Sequence, residues 1–186
     1  MNVWLTQVLP HTDVVWDVGA NDGYFAYGAA QAMHAAGKKG MVIAFEPGLD
    51  NPEFASTLVT PSQWPQYQDS QFTFVPQLVG ATCTETTTTL DAAYARYPET
   101  HSGRSLVKVD VEGAELEVLA GAQQLLAAPH HWVVEVHGKH LLDPVLNFFR
   151  DAHRPVTVRE LTPHWLLGRE QRTIPTVWVT TEVPNG

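Results

Sequence analysis

The chain has 186 residues, 44% apolar and 17% charged, so it can fill a core without staples and is no disordered tail. Eleven Lys and Arg against twenty Asp and Glu leave a net charge of −9 with His neutral, which argues against a phosphate-tracking nucleic-acid binder and against an anionic membrane surface. The single cysteine, Cys83, cannot form an internal disulfide and fits a reducing compartment. The first residues show no basic region leading into an apolar run, and no stretch approaches the roughly 20 apolar residues of a membrane span. The expectation is one soluble, cytoplasmic domain over residues 1–186.

Val14–Val18 is β-branched and ends in glycine, the pattern of a buried strand. Tyr24–Ala36 has Phe25, Ala29, Met33 and Ala36 at helical spacing, with Gly37 as its stop. Strands follow at Met41–Phe45 and Phe72–Val75, with a short helix between them at Asn51–Leu58. Leu90–Tyr97 reads as a helix stopped by Pro98. Leu106–Val109 is a strand, Leu116–Leu126 a helix and Trp132–Val136 a strand. Asp143 is expected to cap a helix with Pro144 in its first turn, and Val156–Leu161 and Val177–Thr181 close the set as strands. The threonine run 84–89 reads as an edge strand, His130-His131 as a polar turn, and Cys83 as a buried small hydrophobe. Residues 59–71 and 162–175 are the longest loops, and their Trp64, Tyr67 and Trp165 could stack on a sugar. Alternating strands and helices imply an α/β fold, a parallel sheet covered on both faces.

Ligands of such sheets bind beyond the carboxyl ends of the strands. The first strand ends Asp17-Val-Gly19-Ala-Asn21-Asp22-Gly23. Its spacing is Gly-x-Asn-x-Gly, and Asn21 and Asp22 disfavour the pyrophosphate of a nicotinamide dinucleotide while suiting a cationic ligand. Glu46, at the end of the second strand, lies 46 − 23 = 23 residues past Gly23, where a carboxylate can accept both hydroxyls of a ribose. Asp110 and Glu112 share a strand parity at the crevice, whereas Glu115 sits in a first helical turn and reads as a helix-dipole acid. Glu135 and His137 share a face, and His137 is a candidate general base. Asp110, Glu112, Glu135 and His137 could also hold Mg²⁺ or Mn²⁺, but nothing in their spacing demands it and no metal is assigned.

Together, the segments Val15–Gly23, Val42–Pro47, Thr88–Asp91, Val107–Glu115 with Val118–Ala122, and Val134–His137 resemble the FkbM-type S-adenosylmethionine-dependent methyltransferases over about residues 14–182. The resemblance implies a Rossmann-like class I methyltransferase fold, a seven-stranded, mostly parallel sheet whose last strand is antiparallel. It implies that Asp17, Gly19, Asn21 and Gly23 surround the methionine end of S-adenosylmethionine and that Glu46 holds its ribose, with Asp110 also among the cofactor contacts. His137, Glu112 and Asp110 are the catalytic candidates. The implied reaction is O-methylation of a hydroxyl on a small molecule or sugar. The family usually has more chain before the first strand and a longer segment before the threonine-leucine-aspartate motif, here compressed to about residues 77–87. Adenine contacts are therefore sought at Gln77–Val79, and substrate walls are expected to be reduced or supplied by a second copy in a homo-oligomer. A cofactor-binding scaffold without catalysis is the alternative from another class; a nicotinamide dehydrogenase is disfavoured by Asn21 and Asp22.

Overall fold

The computed structural model describes residues 2–55, 70–160 and 176–183. Its β-branched and aromatic runs form β1 (Val14–Val18), β2 (Met41–Phe45), β3 (Gln71–Val75), β6 (Ser105–Val109), β7 (His131–His137), β8 (Val156–Glu160) and β9 (Thr176–Thr181), which make one sheet in the order β3-β2-β1-β6-β7-β9-β8. The pairings from β3 across to β7 are parallel, and β9 runs antiparallel between β7 and β8. β4 (Leu78–Val79) and β5 (Thr87–Thr88) form a separate two-stranded parallel ladder. The helices are α1 (Asn2–Val8), α2 (Tyr24–Ala35), α3 (Pro52–Ala55), α4 (Leu90–Arg96), α5 (Glu115–Ala120), α6 (Gln123–Ala127) and α7 (Lys139–Asp151). No helix among the described residues is long and apolar enough to cross a membrane.

The two-residue period of the strands splits the core into two layers. Val14, Trp16, Val18, Val107, Val109, Trp132 and Val134 pack in a layer with residues of α4, α5, α6 and α7. Their neighbours Val15, Leu106 and Val133 pack on the opposite face with α1 and α2. β1 and β6 are adjacent, yet α2 follows β1 on one face and α5 follows β6 on the other. The two chains diverge as they leave the sheet, which opens a crevice at the carboxyl ends of these strands.

Several local expectations are corrected. The sequence reading placed no element before β1, but α1 is present, with Trp4 buried and its indole N–H donating to the Thr181 carbonyl at 2.9 Å. The helix expected over 116–126 breaks into α5 and α6 at Gly121, where an added Cβ would lie 2.1 Å from the Gly80 carbonyl oxygen. Asp91 explains the restart, since its carboxylate accepts from the Gln124 N–H at 3.0 Å. α7 begins at Lys139, and Pro144 lies inside it, its cost offset by the buried stripe Leu141, Val145 and Phe149. Only Thr87 and Thr88 of the threonine run are strand, and Thr89 caps α4 by accepting from Ala92 N–H at 3.0 Å. Cys83 is exposed, because the turn between β4 and β5 lies outside both core layers. The longest loops fall mostly outside the described residues, as do Trp64, Tyr67 and Trp165.

His130 and His131 are buried, not a polar turn. Ser105 N–H donates to His130 Nδ1 at 3.3 Å, so the neutral ring is the one that fits. The Arg154 guanidinium donates to the carbonyls of Ala128 and His130. Burial, with Arg154 close by, holds His130 down to about 4; burial, with Arg104 and Arg154, does the same for His131. Between about pH 6.5 and 4 the unfolded chain therefore takes up protons that the folded chain refuses. Stability is expected to be complete above about pH 6.5 and to fall as the pH drops towards about 4. Urea midpoints across that range should show this decline, and His131→Asn should flatten it.

Candidate active site

The turn from β1 into α2 forms one wall of the crevice. Gly19 has φ +75°, and a Cβ there would lie 1.9 Å from the Asp110 carbonyl oxygen, so only glycine lets the ends of β1 and β6 close together. Gly23 has φ 78° and caps α2, and Asn21 between them has φ 47°. Asp22 turns back to accept from the Tyr24 N–H at 3.1 Å, at the exposed start of the helix. Glu46, leaving β2, accepts from the Asn21 N–H at 3.0 Å with Oε2 and from the Gly48 N–H at 2.9 Å with Oε1. A carboxylate has about four acceptor positions, so Glu46 spans the glycine turn with capacity to spare.

Asp17, Lys108 and Asp110 meet on the floor. Asp17 and Lys108 are register partners on β1 and β6. Lys108 Nζ lies 3.0 Å from Asp17 Oδ1 and 3.7 Å from Asp110 Oδ2, and it donates to the Gly19 carbonyl at 2.7 Å. Asp17 is fully buried. Burial pushes its pKa up and the Lys108 charge pulls it back. Asp17 thus sits under the turn, and its influence on the crevice runs through Lys108. Lys108 is not among the site residues expected from the sequence, although an ammonium in the middle of Leu106–Val109 demands a partner.

The third group surrounds His137. Its Nδ1 lies 2.7 Å from Glu115 Oε1, which also accepts from the backbone N–H groups of Gly113 at 3.1 Å and His137 at 3.3 Å. A carboxylate only accepts, so Nδ1 carries the proton and Nε2 is left to face outward. Nε2 is 3.6 Å from Asp110 Oδ1 and 3.8 Å from Glu135 Oε1. The dipole role expected of Glu115 is thus corrected: it is fully buried and bonded to His137. The shared parity of Asp110 and Glu112 is corrected too. β6 ends at Val109, Glu112 has φ 52°, and the chain there is a turn that leaves Glu112 exposed while Asp110 joins His137. Gln77 and Leu78 lead out of β3 into β4.

Lys108→Met leaves the Asp17 carboxylate buried and unpaired, and is expected to cost about 3–5 kcal/mol in urea unfolding. Gly19→Ala should cost on the order of 3 kcal/mol or more, from the contact with Asp110 and the positive φ. Gly28→Ala is the control: a Cβ there meets nothing within 4 Å, on a helix interior. It should stabilise by about 0.5–1 kcal/mol.

The chain is similar to known proteins. The Methyltransferase FkbM domain family matches residues 63–154. The hexuronic acid methyltransferase AglP of Haloferax volcanii is 30% identical over 182 residues, covering 86% of this chain and 71% of the relative. A methyltransferase FkbM structure from Methylobacillus flagellatus KT superposes with a TM-score of 0.60 at 16% identity, over 92% of this chain and 44% of that one. Precorrin-6y C5,15-methyltransferase from Geobacter metallireducens GS-15 gives 0.57 at 14% identity, over 97% and 86%. These two structures share the fold, the mostly parallel seven-stranded sheet with an antiparallel last strand. By sequence, the chain belongs to the FkbM family of S-adenosylmethionine-dependent methyltransferases.

Proposed function

We propose that this enzyme methylates a hydroxyl oxygen of a sugar or related small molecule. The observation that carries this reading is the placement of His137 Nε2 and Asp110 beside the glycine turn, at the mouth of one crevice. The similarity to a hexuronic acid methyltransferase favours a sugar as the acceptor. The absence of a basic stripe from a chain of net charge −9 speaks against a nucleic-acid acceptor.

The residues fit the cofactor. The bare Gly19 backbone admits a ligand at the turn, and the spare acceptor positions of Glu46 suit the two ribose hydroxyls. Asp110 and the buried Asp17 bias the crevice towards positive charge, with Gly19, Asn21 and Gly23 as the surrounding wall. When bound, S-adenosylmethionine supplies a methyl carbon on a positive sulfur. The chain must then align the acceptor oxygen with that carbon, which can contribute roughly 7–11 kcal/mol, and ease the loss of its proton, which contributes roughly 10²–10⁴-fold. His137, Asp110 and Glu112 are the residues assigned to the proton. His137 is favoured over Glu112, because Glu115 fixes its ring with Nε2 turned to Asp110, while Glu112 is exposed.

Calorimetry with S-adenosylhomocysteine should give saturable heat; silence at near-millimolar ligand would sink the reading. Glu46→Gln should weaken that binding roughly 10-fold or more, as expected for lost hydrogen bonds to a charged group. His137→Ala should lower methyl transfer to a uronic acid or neutral sugar acceptor by roughly 10²–10⁴-fold while leaving homocysteine-ligand affinity within about threefold.

A further inference from the structure

We propose that Asp110, Glu135 and His137 bind one hard divalent cation, Mg²⁺ or Mn²⁺, and that the acceptor oxygen meets His137 through this ion. The inference rests on reading the crevice as the acceptor site and specifies how His137 works there. One ligand atom from each residue lies within 4.8 Å of the others. The two distances from His137 Nε2, 3.6 Å to Asp110 and 3.8 Å to Glu135, are too long for hydrogen bonds. They are the right length for something between: two ligands each about 2.1 Å from an ion lie up to about 4.2 Å apart.

The histidine is prepared for that role. Glu115, itself fully buried, accepts a hydrogen bond from the Nδ1 proton at 2.7 Å, which leaves the Nε2 lone pair directed at two carboxylates. A lone pair facing two negative oxygens is unfavourable unless a cation intervenes. A carboxylate holding the far nitrogen of a histidine is the usual support behind a metal ligand. Asp110 divides its oxygens in the same sense: Oδ2 faces Lys108 at 3.7 Å, and Oδ1 faces His137.

Burial and donor chemistry agree with this. Asp17, Glu115 and Glu135 are buried, and Asp110 is two-thirds buried. Lys108 lies within ion-pair distance of Asp17 and Asp110, and Glu115 Oε2 is buried without a hydrogen-bond partner. Two carboxylates and one imidazole form a donor set for Mg²⁺ or Mn²⁺. Such an ion makes a coordinated hydroxyl more acidic. With Nε2 on the ion, His137 eases the loss of the proton through the ion and does not accept it: the acceptor O–H bond breaks with its proton passing to water, the oxygen's electron pair forms the new O–CH₃ bond, and the C–S bond breaks to leave a neutral thioether.

The rival occupant is a second proton on His137, and the two are separable. Mn²⁺ titrated into chelator-stripped protein and followed by electron paramagnetic resonance should fill about one site per chain, within the micromolar-to-millimolar range of carboxylate sites. Glu135→Gln and Asp110→Asn should each weaken it at least about tenfold, and Glu115→Gln by roughly 10–100-fold through loss of the support behind His137. Methyl transfer should stop with excess EDTA and return with Mg²⁺ or Mn²⁺. The proposal is overturned if Mn²⁺ stays free at about 1 mM, if these substitutions leave its binding unchanged in variants whose melting shows them folded, or if stripped enzyme keeps full activity. Asp110, nearest the solvent, provides the variant should Glu135→Gln not fold. S-adenosylhomocysteine calorimetry on the same stripped sample separates the two readings. If that ligand binds while Mn²⁺ does not, the ion alone is removed, whereas failure of the ligand to bind removes the methyltransferase reading of the crevice.

Discussion

The Lys108 ammonium holds the site together. It is buried between β1 and β6, paired with Asp17 at 3.0 Å and donating to the Gly19 carbonyl at 2.7 Å. The two strands part beyond this point, because α2 and α5 leave to opposite faces. At such a divergence the sheet loses its ladder partners, and buried polar groups would be stranded. Lys108 satisfies one carbonyl and balances one carboxylate in that gap. Gly19 then packs its backbone directly on Asp110, so the position of Asp110 follows from the same contact.

The charge of −9 gains a location from this geometry. Asp17 and Lys108 occupy the parity of Val15 and Leu106, and Glu135 that of Val133, so these ionisable groups project to the α2 face of the sheet. Apart from Ser105 at the start of β6, the opposite parity is apolar along β1, β6 and β7 as far as Val18, Val109 and Val136. One face is therefore a sealed core along its whole length, while the other changes from apolar to ionic near the carboxyl ends of the strands. An acidic excess spread over a surface would favour solubility alone. Concentrated at the divergence point, it makes the local potential favour positive charge.

The strands and the crevice were legible because their signal is local. A β-branched run ending in glycine at Val14–Gly19, and an acid at the end of Met41–Glu46, need no tertiary information to be read. The misreadings share a physical cause, which is partners distant in sequence. Trp4 is placed by Thr181, Gly121 by Gly80, and Glu115 by His137. Glu115 in a first helical turn gave an adequate local explanation, and only its burial against β7 shows the contact that governs it. His130 was misread for a similar reason, since its buried environment includes Arg154, far along the chain. Cys83 failed in the other direction: the general tendency of cysteine towards burial lost to a short turn with no core beside it.

The acidic segment after β6 shows why spacing alone could not assign roles. Strand parity would have put Asp110 and Glu112 side by side, but Glu112 at φ 52° and Gly113 at φ 115° turn the chain back on itself. That turn brings Glu115 under His137, where one oxygen gathers the Gly113 N–H, the His137 N–H and the His137 ring. The start of α5 and the end of β7 are thereby joined, and the orientation of the imidazole becomes a property of the backbone of residues 112–115. Three acids within six residues of sequence are sorted into three environments: Asp110 at the mouth, Glu112 in solvent, Glu115 sealed in. The chemistry available at His137 is set by that sorting, since a ring whose proton is fixed on one nitrogen has only one other atom to offer.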